Sequence, residues 1–403
     1  MKLKSLLLMA AVVFPLAGKS WAGSDLANLV SADNAFSFKL LKQLAPEQSH
    51  GTIFVSPYSA ATALQMAANG AAGKTRSEME LALGITGLTP EKRNAECKAV
   101  AALLASADTN LILTTANALW YRQESSILPG FLAANQDIFG SVVKPLDFHN
   151  VPAAEAAINQ WASDQTHGRI TGIANGAIDP DNTDLVLANA IYFKGKWVAP
   201  FNKEATKPRA FHPASGAEQM KDMMEKTDKY SYRMGMGYQA VRLPYMGGEV
   251  AMYLFLPDAG SSPEKILQVM NGDRWRRVTV PGFKDQKKFH LVLPKFKLEQ
   301  TLELNAPLKE LGMKTAFGHD ADFSKMFGDR HSISAVRQKS FVQVDEEGTE
   351  AAAVTTIQFE SLAVRAPEPP PIEMIVDRPF LFAIVDARSG LILFLGLVNE
   401  LGD

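Results

Sequence analysis

Cysteine is nearly absent from this chain of 403 residues, which contains only Cys97. One thiol cannot form an internal disulfide or supply a thiolate-rich zinc site, so a packed core has to hold the protein together. At 47% hydrophobic residues the chain has ample material for such a core. Cys97 shares a helical pattern with Val100 and Leu104, which favours a small packed side chain over a reactive thiol.

A strong charge of one sign is also absent. The net charge is −2, and the lysines and arginines are scattered along the chain. Neither nucleic acid nor an anionic membrane is therefore expected as the main partner. After the first residues, no apolar run reaches the roughly 20 residues that a membrane-spanning helix needs.

Motifs for metal, nucleotide and nucleophile chemistry are missing as well. The seven histidines do not cluster, and no HExxH, EF-hand or GxSxG spacing occurs. Residues 235–240, GMGYQA, mimic a dinucleotide fingerprint but lead into a strand pattern instead of a helix. Ser56 and Ser59 lie between a strand pattern and a helix pattern, where a helix cap is favoured over a nucleophile. We therefore expect no metal, no cofactor and no enzyme activity.

The N-terminal residues form a targeting segment. Lys2 and Lys4 give a positive start, residues 5–17 are mostly apolar, and Ser20-Trp21-Ala22 places small residues where a signal peptidase reads them. We predict cleavage after Ala22, which makes residues 1–22 a signal peptide. The mature protein would then be secreted, to the extracellular space or the periplasm. An uncleaved anchor is the alternative, although the apolar run is too short to span a bilayer.

The mature chain has helix patterns first and strand patterns later. Residues 36–44 show helical spacing, and residues 52–85 predict a short strand, a Ser-Pro turn and two helices broken around Gly70 and Gly73. Predicted strands follow in LVLANAIYF, VRLPY, VAMYLFLP, FHLVLPKFKLE and, as a pair, FLFAIVDARSGLILFLGLV, while LELNAPLKELGM predicts a helix ended by Gly312. Because strands and helices do not alternate, the expected fold class is α+β.

A long segment of small residues, 348–371, joins two strand patterns near the C-terminus. If it is extended, one face has no charge. That face carries Thr349, Ala351, Ala353, Thr355, Ile357 and Phe359. The opposite face holds Glu350 and Glu360, which suits a strand with one buried and one wet side. The β-branched run 354–357 favours a strand, although a short helix capped by Thr349 is the alternative.

Several motifs, taken together and in order, resemble those of the serpins over essentially the whole mature chain. VDEEGTEAAA is similar to the family's hinge motif, matched at Glu346, Gly348, Thr349, Glu350, Ala351, Ala352 and Ala353. LANAIYFKGKWVAPF resembles the family's most recognisable internal signature, and FVSPYS, INQWASDQTHGRI, LPKFKLE, ADFSKM and DRPFLFAI resemble further segments. The chain is identified as an exported serpin of prokaryotic type, with residues 23–403 as a single domain.

The resemblance implies three β-sheets, about nine helices and an exposed reactive-centre loop over about residues 346–371. A target serine protease would cleave this loop and form a covalent acyl-enzyme. Insertion of the loop into the main sheet, starting at the hinge, would then trap the protease. The inhibitor is expected to be a monomer without a cofactor.

The resemblance also assigns roles to polar residues outside the loop. Ser56, Ser59 and Asn189 match the shutter, the polar cluster below the opening of the main sheet. Trp197 matches the breach, where insertion begins. Gln338 stands where the family usually has a shutter histidine, so the pH response of the shutter is expected to differ.

The position of the cleaved bond differs between two counts. Counting from Gly348 with the family's spacing gives Leu362–Ala363, which suits elastase-, chymotrypsin- or subtilisin-like proteases. Counting back from DRPF gives Arg365–Ala366, which suits trypsin-like proteases with an acidic pocket. The first count is preferred, because the inserted length sets how far the protease is carried, and Val364 is a third candidate.

The alternative function is a non-inhibitory serpin that acts as a binding protein or as a simple protease substrate. Such members often carry bulky, charged or proline residues in the hinge, whereas the prolines here begin at Pro367. The small residues of the hinge therefore favour an inhibitor.

Overall fold

The structure is a computed structural model that describes residues 26–47, 51–107, 111–279, 283, 286–328, 330–349 and 370–402. The predicted signal peptide and most of the predicted reactive-centre loop lie outside these residues.

Nine α-helices occur in the described part of the chain. They are α1 (Ala27–Glu47), α2 (Pro57–Ala68), α3 (Gly73–Leu83), α4 (Pro90–Ala105), α5 (Pro129–Phe139), α6 (Val151–Gln165), α7 (Pro263–Val269), α8 (Gly272–Thr279) and α9 (Asn305–Glu310). The side chains of Ser56, Thr89 and Asn150 cap α2, α4 and α6, each by accepting a backbone N–H three residues on. Gly84 ends α3 in the left-handed conformation that glycine tolerates best.

The strands are mostly in the second half of the chain. They are β1 (Ile53–Val55), β2 (Leu111–Arg122), β3 (Val142–Leu146), β4 (Leu185–Lys196), β5 (Lys207–Phe211), β6 (Gln219–Gly235), β7 (Tyr238–Pro244), β8 (Val250–Pro257), β9 (Gln286–Pro294), β10 (Phe296–Glu303), β11 (Ala335–Val344), β12 (Gly348–Thr349), β13 (Ile372–Ile375), β14 (Phe380–Asp386) and β15 (Ile392–Val398). Six of the nine helices precede β4, whereas most strands follow it. The predicted α+β class is therefore confirmed.

Hydrogen bonding joins the described strands into two sheets. The six-stranded sheet has the order β10-β11-β12-β4-β2-β3, and the nine-stranded sheet has the order β1-β15-β14-β8-β7-β6-β9-β13, with β5 paired to β6. Three sheets were expected. Only two are found among the described strands. The long strand β6, of 17 residues, pairs with β9 along one part and with β7 along another, so two groups of strands join into one sheet.

The run FHLVLPKFKLE was predicted as a single strand, and this prediction is wrong. It contributes to β9 and β10, which belong to different sheets. The break falls at Lys295, whose N–H donates to the carbonyl of Asp222 at 2.8 Å instead of continuing a ladder. Pro294 just before it has no N–H to donate.

The helix predicted from LELNAPLKELGM begins later than expected. Leu302 and Glu303 belong to β10, where they pair with Gln338 and Arg337 of β11, so tertiary pairing overrides the helical pattern. Gly312 follows α9 with a φ of +106°, a conformation that only glycine adopts easily.

Apolar side chains cover both faces of the six-stranded sheet. A large cluster fills the space between the two sheets and the first helices, and a second cluster lies on the other face of the six-stranded sheet under α6. In the second cluster Trp120 of β2 meets Trp161 of α6 edge to face at 6.2 Å. Nine successive residues of β4, 185–193, are buried, as expected from their continuous hydrophobicity. None of the helices described is long and apolar enough to cross a membrane.

Candidate functional site

The candidate site is a seam between two parallel strands of the six-stranded sheet. Residues 186–192 of β4 pair directly with residues 335–341 of β11. Beyond this ladder the two strands are held apart by β12, in which Thr349 pairs with Val344 of β11 and with Gly195 of β4. β12 is antiparallel to both neighbours, so it is the two-residue start of a strand placed between them.

Gly348 begins β12 in a conformation that excludes other residues. Its φ is +149°, and a Cβ atom built on it would lie 2.1 Å from the carbonyl oxygen of Gly195. The close approach lets the chain enter the sheet directly after it leaves β11. A side chain at this position would force the strand start away from β4.

Thr349 lies in a fully buried contact with Tyr245. The hydroxyl groups of the two residues are 2.9 Å apart, and Thr349 has no exposed surface. Trp197 stacks on the Tyr245 ring with a centroid distance of 4.4 Å, and its indole N–H donates to the carbonyl of Asp345 at 3.0 Å. Burial raises the pKa of Tyr245 far above its usual range, so the hydroxyl stays neutral. This environment accepts a small neutral side chain and would strongly disfavour a charge.

Two glutamates anchor the turn before β12. Glu346 forms an ion pair with Lys295 at 3.2 Å and accepts a hydrogen bond from the Thr206 hydroxyl at 2.7 Å. Burial acts to raise the pKa of Glu346, but these contacts outweigh it and leave the pKa below its usual value. Glu347 pairs with Lys203, a more exposed partner. The base of β12 is therefore fixed by charge as well as by packing.

Asp345 shapes the turn itself. Its carboxylate accepts from the backbone N–H groups of Glu347 at 3.0 Å and Gly348 at 3.2 Å. Burial and the neighbouring glutamates raise its pKa, although these hydrogen bonds oppose the shift. The turn therefore reverses the chain between β11 and β12 with its N–H groups satisfied.

Lower in the seam, three amide side chains share one register position on adjacent strands. Asn117 of β2 is opposite Asn189 of β4, and Asn189 is opposite Gln338 of β11. The Gln338 amide donates to Oδ1 of Asn189 at 2.8 Å, and the Asn189 amide donates to Oδ1 of Asn117 at 2.6 Å. We call these three side chains the amide row; all are buried.

The amide row is tied to the first turn of α2. Gln338 accepts from the backbone N–H of Ser56 at 2.8 Å and donates to its carbonyl at 2.9 Å. Asn189 donates to the Ser59 hydroxyl. Ser56 caps α2, and its hydroxyl donates to the carbonyl of Leu393 at 2.6 Å, so the predicted cap is confirmed. These partners are backbone carbonyls and amides, which cannot act as the base that a serine nucleophile needs.

Gln338 makes the hydrogen bonds of this site with a side chain that does not titrate. Its amide oxygen and nitrogen both have partners on Ser56, and the nitrogen also reaches Asn189. A glutamine amide provides two donors and one acceptor oxygen with no change of charge across the physiological pH range. At this position, where a histidine was expected from the resemblance, Gln338 provides neutral hydrogen bonds to Ser56 and Asn189.

Sequence reasoning singled out some of these residues and missed others. The structure brings Glu346, Gly348 and Thr349 together with Trp197 at the top of the seam, and Ser56, Ser59, Asn189 and Gln338 lower down. The sequence patterns did not point to five further residues of the site: Asn117, Tyr245, Thr206, Lys203 and Lys295. Asn117 could have been found as the amide between two alanines in a strand pattern, whereas the others carry no local signal.

Several predicted residues lie outside the described part of the chain. They are the hinge residues Glu350, Ala351, Ala352 and Ala353 and both candidate bonds, Leu362–Ala363 and Arg365–Ala366. Among the residues that the structure describes, no group of three or more histidine, cysteine or acidic side chains could hold a metal ion.

Comparisons with known proteins identify the relatives of this chain. Residues 31–401 match the family model described as serpin (serine protease inhibitor). The chain is 36% identical to Iripin-2 of Ixodes ricinus over 386 residues, covering 94% of this chain and 95% of that protein. It is 35% identical to the leukocyte elastase inhibitor of Sus scrofa, covering 92% and 99%.

Comparison with solved structures also identifies serpins as similar to this chain. Serpin48 of the insect Tenebrio molitor, described as a highly specific serpin, superposes with a TM-score of 0.81 at 30% identity and covers 94% of this chain and all of that one. The predicted serpin fold is therefore confirmed, whereas a prokaryotic origin remains a prediction. By sequence and by structure, the chain belongs to the serpin family.

Proposed function

We propose that this serpin is a suicide-substrate inhibitor of serine proteases. The protease serine attacks the carbonyl carbon of the reactive bond, the amide breaks, and the new amino terminus leaves while an ester joins the two proteins. The freed loop then enters the seam between β4 and β11 as a new strand. The observation that carries this proposal is β12, a strand start already paired with both β4 and β11.

Elementary sheet energetics supports the proposal. Across the seam, residues 186–192 of β4 and 335–341 of β11 share a single ladder, and a strand inserted between them would pair with both. Because β12 is antiparallel to both edges, a strand that continues from Thr349 would form two antiparallel ladders. Opening the seam breaks the parallel ladder between β4 and β11 and the hydrogen bond between Asn189 and Gln338, and insertion replaces that one ladder with two.

The target class follows from the loop sequence. We prefer Leu362–Ala363 as the reactive bond, which makes elastase-, chymotrypsin- and subtilisin-like proteases the expected targets. The relatives named leukocyte elastase inhibitor are consistent with this choice. Cleavage at Arg365–Ala366 would instead make trypsin-like proteases the targets.

The proposal is tested by incubating the mature protein with elastase-, chymotrypsin-, subtilisin- and trypsin-like proteases. An SDS-stable complex is expected, and mass spectrometry of the released C-terminal peptide identifies the bond. A peptide beginning at Ala363 supports the first count, and one beginning at Ala366 supports the second. Cleavage by every protease without a complex would instead support a non-inhibitory serpin that is a binding protein or a substrate.

We also propose that the protein is secreted, to the extracellular space or the periplasm, and works there as a single domain, residues 23–403, after removal of residues 1–22. The positive, apolar and small-residue order of the N-terminus supports this. N-terminal sequencing of the secreted protein should start at Gly23. An intact N-terminus on protein recovered only from the cells would contradict secretion.

A further inference from the structure

A cavity of about 200 Å³ lies between β2 and the helices packed against it, and it borders the amide row at Asn117. Its walls come from α1, α2, α4, β2 and α5. Leu113, Thr115 and Asn117 alternate along β2, so all three face the cavity. An apolar cavity of about 150 Å³ can hold benzene, so this one has room for a single ring with a short side chain.

The walls combine an apolar lining with one chain of buried polar groups. Val100, Leu104 and Ile138 belong to the apolar part. In the polar part, the Cys97 thiol donates to Oε1 of Gln65 at 2.7 Å, and the Gln65 amide donates to Oδ1 of Asp33 at 3.2 Å. This series of hydrogen bonds therefore ends at the carboxyl group of Asp33 in the cavity wall.

Asp33 is an acid without a cationic partner. It is 2% exposed, and no ion pair joins it to a lysine or arginine within the described ranges. The buried guanidinium of Arg93 is committed to Glu80 at 3.3 Å and to Asn69. Burial raises the pKa of Asp33 to about 8, and the charge of Glu96 adds to this although the Gln65 amide opposes it. A cation that entered the cavity would find an unmatched carboxyl group.

We propose that this cavity binds a small apolar amine, with its ring against the side chains of α4, α5 and β2 and its ammonium group at Asp33. On binding, Asp33 gives up its proton to solvent and pairs with the ammonium group. Away from bulk water such a charge-assisted hydrogen bond is strong. An alcohol of the same shape lacks the charge, and a carboxylate of the same shape would bring a negative charge out of water to a site with no cationic partner at Asp33 and with the charge of Glu96 nearby.

The test compares three ligands of one shape: 2-phenylethylamine, 2-phenylethanol and phenylacetate. Binding to the mature protein is measured by calorimetry and by chemical-shift changes. The amine is expected to bind at least about tenfold more tightly than the alcohol, and phenylacetate should not bind. Absence of amine binding at millimolar concentration, or an alcohol that binds as tightly as the amine, would overturn the proposal.

Two variants locate the site. Asp33→Asn keeps the shape and the acceptor for Gln65, and should weaken amine binding at least about tenfold while leaving the alcohol within a few-fold. Asp320→Asn, an exposed matched control, should change neither ligand. Ile138→Trp, at a half-buried wall position, should fill the cavity and abolish binding of both. Amine affinity that is unchanged in folded Asp33→Asn or Ile138→Trp protein would contradict the site. Because these readouts need no protease, their failure is independent of the inhibitory function.

Discussion

Gln338 and Asn189 face each other across the seam between β11 and β4, and the Gln338 amide donates to Oδ1 of Asn189 at 2.8 Å. Neighbouring strands lie about 4.8 Å apart, so a strand inserted between them would roughly double the distance between the two backbones. The hydrogen bond cannot survive that change. This hydrogen bond and the ladder between β4 and β11 both close the seam, so the proposed function must break both.

Replacing Gln338 with histidine should introduce a pH response at the seam. A buried, neutral histidine has its pKa lowered by burial, so the native state binds fewer protons than the unfolded state at pH values around and below about 6.5. The stability of Gln338→His should therefore fall as the pH is lowered through this range. Urea-unfolding midpoints at pH 5 to 8, set against the parent protein, measure the difference. Parallel curves for the two proteins would show that the site does not sense the charge of residue 338.

Thr349→Arg should turn the inhibitor into a substrate. Thr349 is fully buried against Tyr245, and a guanidinium there would be removed from water without a partner. The ratio of cleaved protein to covalent complex should rise strongly. Met236→Arg, at a side chain that is 92% exposed, is the matched control and should inhibit like the parent. If both variants inhibit equally well, the buried contact between Thr349 and Tyr245 is not needed for insertion of the loop.

The two glutamates of the turn should differ in their contribution to stability. Glu346→Gln removes an ion pair whose partner, Lys295, is 37% exposed, whereas Glu347→Gln removes one whose partner, Lys203, is 60% exposed. Glu346→Gln should cost about 1–3 kcal/mol of unfolding free energy. The loss in Glu347→Gln should be smaller, since exposed pairs are screened. Urea unfolding of the intact variants measures both, and equal losses would contradict the ranking by burial.

Asp33 should make the native state less stable as the pH rises. Its pKa is raised to about 8 in the folded protein, so between its unfolded pKa and pH 8 the folded state holds the extra proton. The contribution is full at low pH and falls by up to about 1.4 kcal/mol per pH unit on the way to pH 8. Glu96, Cys97 and Tyr58 surround the group, and the latter two stay neutral throughout because burial raises the pKa of each far above its usual value.

Asp33→Asn should remove this slope from the stability profile. Unfolding midpoints of the parent and the variant at pH 5, 6, 7 and 8 are the measurement. The two curves should converge at low pH and separate toward pH 8, with the variant the more stable. A constant difference across the range would contradict a raised pKa.

The sequence predicted local features of the fold better than distant contacts. The break between α2 and α3, the buried strand β4 and the final pair β14 and β15 follow from periodicity and from turn residues. The division of β9 from β10 did not, because it depends on the bond between Lys295 and Asp222, residues 73 positions apart in the chain.

The same limit applies to the candidate site. Alternation along residues 348–359 pointed to Thr349 as an inward residue, but its partner Tyr245 lies 104 residues away. The amide row joins three strands, and the match between Asn117 and Asn189 depends on a register that no single strand pattern fixes. Pairing across a sheet is decided by the assembled core.

The most direct test of the central claim is a reversible lock on the seam. Ala190 and Lys339 are register partners in β4 and β11, and neighbouring strands at about 4.8 Å fall within the Cα range of a disulfide. The double variant Ala190→Cys/Lys339→Cys, with Cys97→Ser to remove the other thiol, can be oxidised to hold the strands together. The measurement is the yield of SDS-stable protease complex before and after reduction. If insertion occurs at this seam, the oxidised protein should be cleaved without forming a complex, and reduction should restore the complex. Full complex formation by the oxidised protein would contradict insertion at this seam.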